Sequence, residues 1–252
     1  MYSKVIIKTL VALVCVVSYV GTTSNAEPFL QLDILAGDTW YDDITESITT
    51  SQSSFTLRAL INTAKTDDYA LVLDNTYYIS AAVQPSLLET FPSPDFGSFV
   101  FGGDTIQVTE DMKYGTPPVD GGYPDIPTHG VYPTYYAEFS FPADTTQTTY
   151  RYNTEDYPGG IVPNPDLTDK SFLYKDFEVD VSAYTADSLH FDLYAVGLNK
   201  NGKKIVTYKA PFSHDAIGDA QYVPTPSAFI LGSLGLGIAQ LRLGRRKQAR
   251  QL

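Results

Sequence analysis

The sequence predicts an all-β fold: an antiparallel, jelly-roll-like β-sandwich, flanked by an N-terminal signal peptide and a C-terminal hydrophobic helix. Three observations indicate the sandwich. Apolar and polar residues alternate along several segments, and nowhere between residues 27 and 222 is a 3.6-residue apolar period sustained. Glycine and proline cluster between these segments, as they do in loops that connect strands. Residues 27–222 are numerous enough for one domain with a sizeable core.

The alternation is clearest in five segments, and it gives each predicted strand one buried face. These segments are residues 30–34, 55–59, 135–141, 177–182 and 189–193. Weaker patterns predict further strands at residues 69–73, 77–83, 98–101, 105–109 and 204–209. Short antiparallel strands with polar, solvent-facing sides are typical of a sandwich.

The first 26 residues have the three parts of a secretory signal peptide. Lys4 and Lys8 make its start positive, residues 10–20 are apolar, and small residues precede Ala26. We therefore expect export through the Sec translocon and cleavage by signal peptidase between Ala26 and Glu27.

Cleavage there leaves an exported body, residues 27–222, without cysteine, because Cys15 lies in the signal peptide. Disulfides, thiol nucleophiles and cysteine metal ligands are thereby excluded from that body. All 29 acidic residues lie between Glu27 and Asp219, together with only 10 of the 17 basic residues. Such an acidic body repels nucleic acid, so we expect no nucleic-acid partner.

The order of motifs in residues 223–247 is typical of a sorting signal that also serves as a temporary membrane anchor. The motif Pro224-Thr225-Pro226 precedes an uncharged apolar run over residues 227–241. As a helix this run spans about 22 Å, less than the roughly 30 Å hydrocarbon core, so it is a marginal membrane span. The two prolines cannot lie inside a helix and therefore set its start.

A basic cluster containing Arg245 and Arg246 follows, before a tail of residues 248–252. This cluster would hold the C-terminus on the cytoplasmic side of the membrane. The segment 223–247 resembles the PEP-CTERM protein-sorting signal of Gram-negative bacteria, with Thr225 where that family usually has glutamate. The resemblance implies that an exosortase processes a precursor tethered to the inner membrane, and that the mature form is associated with exopolysaccharide and biofilm. The alternative is a helix that stays as a permanent anchor.

Six stretches of the body carry a second resemblance: residues 78–82, 111–118, 129–136, 177–182, 189–194 and 210–216. Together they resemble the choice-of-anchor N family, whose members share an exported domain and differ in their C-terminal anchor. The resemblance implies a protein of the cell envelope or extracellular matrix. It implies no activity and supplies no catalytic residues.

Tyrosine is concentrated in the proline-rich half of the body, and four tyrosines there are candidates for glycan contact: Tyr114, Tyr123, Tyr132 and Tyr136. Exposed aromatic rings on sandwich loops can stack on sugar rings. Tyrosines that pack a loop onto a sheet have the same pattern in sequence. The residues alone leave both interpretations open.

Candidate metal ligands are few. Calcium prefers oxygen ligands on loops, so Asp38, Asp42 and Asp43 are candidates for a calcium site, and we expect no other cofactor. No two of the three histidines stand at metal-ligand spacing on one element. The alternation places His190 on the outer face of its strand, where a metal would need ligands that converge from elsewhere in the chain.

No catalytic constellation is evident in the sequence. Ser213, His214 and Asp215 have the side chains of a hydrolase, but adjacent residues on one strand are not expected to form a triad. The leading hypothesis is a non-enzymatic exported protein sorted to the envelope or matrix. The alternatives are a carbohydrate-binding module that uses the loop tyrosines, and a hydrolase of a matrix glycan or peptide with converging carboxylates in a cleft.

The two terminal segments predict two cleavages that intact-mass spectrometry can read. In a host that has the exosortase, we expect a chain that starts at Glu27 and ends near Pro226. In the same host without the exosortase, we expect the same start and an end at Leu252. A chain that ends at Leu252 in both hosts would contradict the sorting prediction, and one that retains Met1 would contradict the signal peptide.

Overall fold

The computed structural model describes residues 27–66, 69–84, 96–127, 131–186 and 188–219. These residues form two β-sheets that pack face to face, so the predicted β-sandwich is confirmed. The predicted signal peptide, C-terminal hydrophobic helix and tail lie outside the described residues, apart from Glu27 at the cleavage site.

Within the described residues the chain forms fourteen strands, one short helix and three single turns of 3-10 helix. The strands are β1 (Leu30–Leu35), β2 (Thr39–Asp42), β3 (Ser47–Thr50), β4 (Ser54–Asn62), β5 (Thr76–Val83), β6 (Ser98–Phe101), β7 (Asp104–Gln107), β8 (Lys113–Gly115), β9 (Thr134–Pro142), β10 (Thr148–Thr149), β11 (Phe172–Asp180), β12 (Ser188–Leu198), β13 (Lys204–Lys209) and β14 (Asp215–Asp219). The helix is α1 (Tyr69–Asp74), and the 3-10 turns are Thr63–Lys65, Pro158–Gly160 and Phe212–His214.

The strands divide between a sheet A and a larger sheet B. Sheet A has the order β1-β4-β11-β6-β7, with β10 beside β11. Sheet B has the order β2-β3-β14-β12-β5-β9-β8, with β13 beside β12. Neighbouring strands are antiparallel except β3 and β14, which pair in parallel, an exception to the antiparallel arrangement that the sequence predicts.

The inner faces of the two sheets form one hydrophobic core. Leu32 and Leu57 of sheet A pack in the same buried cluster as Ile79 and Phe191 of sheet B. Burial of each such side chain contributes about 1.5–3 kcal/mol, which makes this cluster the main source of stability in a body without disulfides. The apolar faces predicted from the alternation are the ones that meet here.

One predicted strand is wrong: Tyr69–Asp74 is a helix. A short apolar run fits a buried strand and a helix equally well, and its alanine and leucines favour the helix. Val72 is fully buried, and its carbonyl oxygen accepts a hydrogen bond from the Tyr77 hydroxyl at 2.9 Å. This contact fastens α1 to the first residues of β5.

The outer face of sheet A is covered by residues 150–162, which we call cover A. Two polar side chains of β1 hold it down. Asp33 accepts hydrogen bonds from the Tyr152 hydroxyl and the Gly159 backbone N–H, both at 2.7 Å. Gln31 accepts a hydrogen bond from the Thr154 N–H at 3.0 Å. Gly159 has φ of 75°, a conformation that glycine adopts at little cost, so its N–H can reach Asp33.

The outer face of sheet B is covered by residues 116–127 and 131–133, which we call cover B. Ile126, Val131 and Tyr132 form a second apolar cluster with Tyr194 of β12. The Tyr132 hydroxyl donates a hydrogen bond of 2.5 Å to Asp192, again a buried carboxylate on a strand. Both covers are therefore fixed by a tyrosine hydroxyl that donates to a buried aspartate.

The covers correct the prediction that every strand has a solvent-facing side. β1 is buried from Leu30 to Ile34 and β12 from Leu189 to Val196, on both faces. The alternation identifies the apolar face of each strand correctly. It does not reveal that the polar face lies beneath a loop, because buried and solvated polar residues look the same in sequence.

Asp33 predicts a measurable pH dependence of stability. Burial is the largest influence on its pKa and raises it from 3.8 to about 7, against the opposing hydrogen bonds from Tyr152 and Gly159. The unfolded chain ionises near pH 4 while the native carboxyl keeps its proton. The stability that Asp33 contributes is therefore complete below about pH 4 and is lost as the pH rises through about 7.

We expect Asp33→Asn, which keeps residue 33 neutral, to gain stability relative to wild type between pH 4 and pH 8, by up to about 4 kcal/mol. Urea unfolding of both proteins across this range measures the difference. Asp166→Asn is the control, because threonine hydrogen bonds lower the pKa of that exposed carboxyl and give the opposite sign. A wild-type-to-Asp33→Asn difference that stays constant with pH would contradict the assignment.

Candidate functional site

One candidate site is an open cleft of about 790 Å³ at one side of the sandwich, which we call the side cleft. It lies between the β6–β7 turn, β9 of sheet B and β11 of sheet A. β6 pairs with β11 at Val179 and Asp180 and ends at Phe101, so it does not extend alongside Phe177, which leaves the opening between the sheets. The Gly102 N–H donates to the Glu178 carbonyl at 2.8 Å and holds the turn at one end.

Aromatic rings form the apolar part of the side cleft. Phe139 and Phe177 are half-buried, and both pack against the buried Phe101, with ring centroids 3.9 and 5.0 Å away. The Lys175 ammonium lies 6.0 Å from the centroid of the Phe177 ring. An aromatic surface beside a flexible donor can contact both the C–H face and the oxygen atoms of a sugar.

Asp176, Glu178 and Glu138 also belong to the lining of the side cleft, and the carboxylate of each has a partner within the protein. Asp176 is bound by both ends of the Arg58 guanidinium at 2.7 Å, and Glu178 accepts from Thr56 at 3.0 Å. Glu138 accepts hydrogen bonds from the Tyr194 hydroxyl and, at 2.8 Å, from the Val119 N–H. Burial raises the pKa of Glu138 above its ordinary range, and the hydrogen bond from Tyr194 opposes this shift. All three carboxylates therefore already accept hydrogen bonds from groups of the protein itself.

The four candidate tyrosines separate into two pairs. Tyr132 and Tyr136 are only 5% and 3% exposed and belong to the cluster beneath cover B. Their rings present no face to solvent, which corrects the prediction of glycan contact for these two and favours the packing alternative. Tyr114 is 61% exposed beside Tyr135, and Tyr123 is half-buried with the Lys204 ammonium 4.8 Å from its ring centroid.

The predicted calcium ligands are not gathered into a site. Asp38 accepts hydrogen bonds from the hydroxyls of Thr50, at 2.9 Å, and Ser51. Desolvation is the largest single influence on its pKa and acts to raise it, but the hydrogen bonds together outweigh desolvation and lower the pKa. Asp42 accepts the N–H of Ile44 at 2.9 Å, which closes its turn. Across the described residues, Asp38, Asp42 and Asp43 do not form a group of three ligands within reach of one ion.

A different set of residues does form such a group: His190, Asp192 and Asp215, all buried. The sequence analysis expects that a metal at His190 would need ligands that converge from elsewhere in the chain, and the strands bring Asp215 beside the other two. The one available signal was the spacing of His190 and Asp192, which places both side chains on the same face of a strand. The pairing of β12 with β14 supplies the third residue, and nothing local in the sequence indicates it.

His214 belongs to a separate hydrogen-bond network. One ring nitrogen lies 2.8 Å from the Ser213 hydroxyl and the other 2.7 Å from the side-chain oxygen of Asn153. Ser213 and His214 are in contact, but Asp215 lies near His190 instead, so the three residues do not form a triad, as the sequence analysis expects. Burial lowers the pKa of His214 to about 4, which makes it a weak base at neutral pH.

The processing residues stand mostly outside the described part of the chain. Ala26, the Pro224-Thr225-Pro226 motif and the arginines Arg245 and Arg246 lie there. Glu27 is described, and its carboxylate forms an ion pair of 2.7 Å with Arg151. Within the described ranges, no helix has the length and apolar character needed to cross a membrane.

Comparison with solved structures gives a weak likeness. No family model and no curated protein matches the chain. Among solved structures, the chain matches the C-terminal domain of the AgI/II polypeptide BspA from Streptococcus agalactiae, with 7% sequence identity and a TM-score of 0.27. The match covers 75% of this chain and 49% of that one, so the chain spans about half the length of this neighbour.

Proposed function

We propose that this chain is an exported, non-enzymatic protein of the cell envelope or extracellular matrix whose sandwich binds polysaccharide in the side cleft. The observation that carries the binding proposal is the aromatic surface of Phe139 and Phe177 beside hydrogen-bonding side chains, in an opening large enough for several sugar units. Export and sorting rest on the two terminal segments.

The position of the sandwich along the chain supports the sorting part of the proposal. β1 begins at Leu30, shortly after the predicted cleavage before Glu27. β14 ends at Asp219, shortly before the motif at Pro224. Both predicted cleavages therefore fall outside the strands, and processing by signal peptidase and exosortase would release the folded body intact.

Charge indicates which polysaccharides the cleft would accept. The body has an excess of acidic residues, and carboxylates of Asp104, Glu138 and Glu178 belong to residues that line the opening. An anionic polymer would be repelled, whereas neutral hydroxyls and protonated amino groups suit carboxylate acceptors. The proposed ligand is therefore a neutral or amino-sugar polysaccharide.

The exposed Tyr114 supports a second candidate, a carbohydrate-binding module that uses loop tyrosines. Its ring is accessible on β8, and Tyr123 is partly accessible in cover B. The two tyrosine rings lie away from the residues that line the side cleft. Substitutions at the two places therefore separate the two binding modes.

The binding proposal predicts retention of the exported protein on at least one neutral or amino-sugar polysaccharide in affinity electrophoresis. Phe177→Leu keeps an apolar side chain but removes the ring, and we expect it to weaken binding about tenfold, equivalent to about 1.4 kcal/mol. Tyr114→Ala is the matched control and is expected to bind as wild type does. Circular dichroism confirms that both variants remain folded.

Two outcomes would contradict the binding proposal. Retention on none of the polysaccharides would remove glycan binding altogether. Loss of binding in Tyr114→Ala with normal binding in Phe177→Leu would assign the site to the loop tyrosines. The sorting proposal is tested independently by the masses of the two termini.

A further inference from the structure

The buried group of His190, Asp192 and Asp215 lies on the outer face of sheet B, where neighbouring strands bring it together. His190 and Asp192 alternate along β12, and Asp215 is the first residue of β14, which pairs with β12. Their exposed fractions are 3%, 5% and 1%. A group with two carboxyls and an imidazole at this depth needs its charges balanced within the protein.

The separations of the three side chains fit ligands around one metal ion. The His190 Nε2 atom is 3.4 Å from Asp192 Oδ1 and 3.7 Å from Asp215 Oδ2. Bonds of about 2.0–2.2 Å to a tetrahedral ion place neighbouring ligand atoms about 3.3–3.6 Å apart. One potential ligand atom from each residue lies within 4.8 Å of those of the other two.

Hydrogen bonds from other residues hold the Asp192 carboxylate in a fixed orientation, as is usual for a carboxylate that binds a metal. Its Oδ2 atom accepts the Tyr132 hydroxyl at 2.5 Å, and the Ser80 hydroxyl lies 3.3 Å from the same oxygen. The other oxygen, Oδ1, is the one nearest His190. Hydrogen-bonded partners of this kind hold metal-binding carboxylates in place and are a recurrent part of metal sites.

We propose that His190, Asp192 and Asp215 bind one divalent first-row transition ion, with Zn²⁺ as the first candidate. One imidazole nitrogen and two carboxylate oxygens suit Zn²⁺, whereas Ca²⁺ takes six to eight oxygen ligands. A divalent ion balances the charge of two carboxylates and a neutral imidazole. The ion has a structural role, because its ligands are buried and it joins β12 to β14, the last described strand.

Metal analysis of the exported protein tests this proposal. The protein is produced with Zn²⁺, Mn²⁺ and Ca²⁺ in the medium, purified without chelator or histidine tag, and analysed by plasma mass spectrometry. We expect about one equivalent of Zn²⁺ per chain. Removal by a chelator should lower Tm by several degrees, and Zn²⁺ should restore Tm better than Ca²⁺.

The metal content of substituted proteins tests whether these three residues are the ligands. His190→Gln and Asp215→Asn are expected to lose at least about tenfold in metal content, whereas Asp33→Asn, at a buried carboxyl of the other sheet, keeps it. Should the ligand variants fail to fold, the wild-type metal content and the chelator effect on Tm decide the question. Wild-type protein with less than about 0.1 equivalent of any ion, before and after incubation with each metal, would overturn the proposal. Full metal content in both folded ligand variants would overturn it as well.

Discussion

The hydrogen bond from a tyrosine hydroxyl to a buried aspartate is the interaction on which the rest of this structure depends. It occurs once on each sheet: Tyr152 donates to Asp33 at 2.7 Å on sheet A, and Tyr132 donates to Asp192 at 2.5 Å on sheet B. Each pair fixes a long loop over the outer face of a sheet. An aspartate without such a donor would be costly to bury, so cover and carboxyl stabilise each other.

The two covers limit which surfaces of the described residues are accessible to other molecules. They occupy outer faces that a simple sandwich would expose to solvent. Several tyrosines of the tyrosine-rich segment pack in the apolar clusters beneath the covers. The side cleft, where β6 ends before it reaches Phe177 of β11, is left as an accessible concave surface of the described body. Cover B also places Tyr132 next to the group around His190, so the contact that holds the loop also orients a proposed metal ligand.

The sequence predicts the sandwich well and the covers poorly, for a physical reason. Alternation is a local property, and it identifies the core faces at Leu32, Leu57 and Phe191 because those faces repeat every second residue. The contacts of the covers join distant positions: the partners of the Tyr152 pair are 119 positions apart in the sequence, and those of the Tyr132 pair are 60 positions apart. The group around His190 depends likewise on the pairing of β12 with β14, which no local pattern specifies.

Amide hydrogen exchange of wild type, Tyr152→Phe and Tyr132→Phe tests the role of these hydrogen bonds most directly. Each substitution removes one hydroxyl and keeps the ring, so each variant serves as the control for the other. We expect at least about tenfold faster exchange in residues 150–162 for Tyr152→Phe, and in residues 116–127 for Tyr132→Phe, with β5 protected in both. Unchanged protection of both covers in both variants would contradict this expectation.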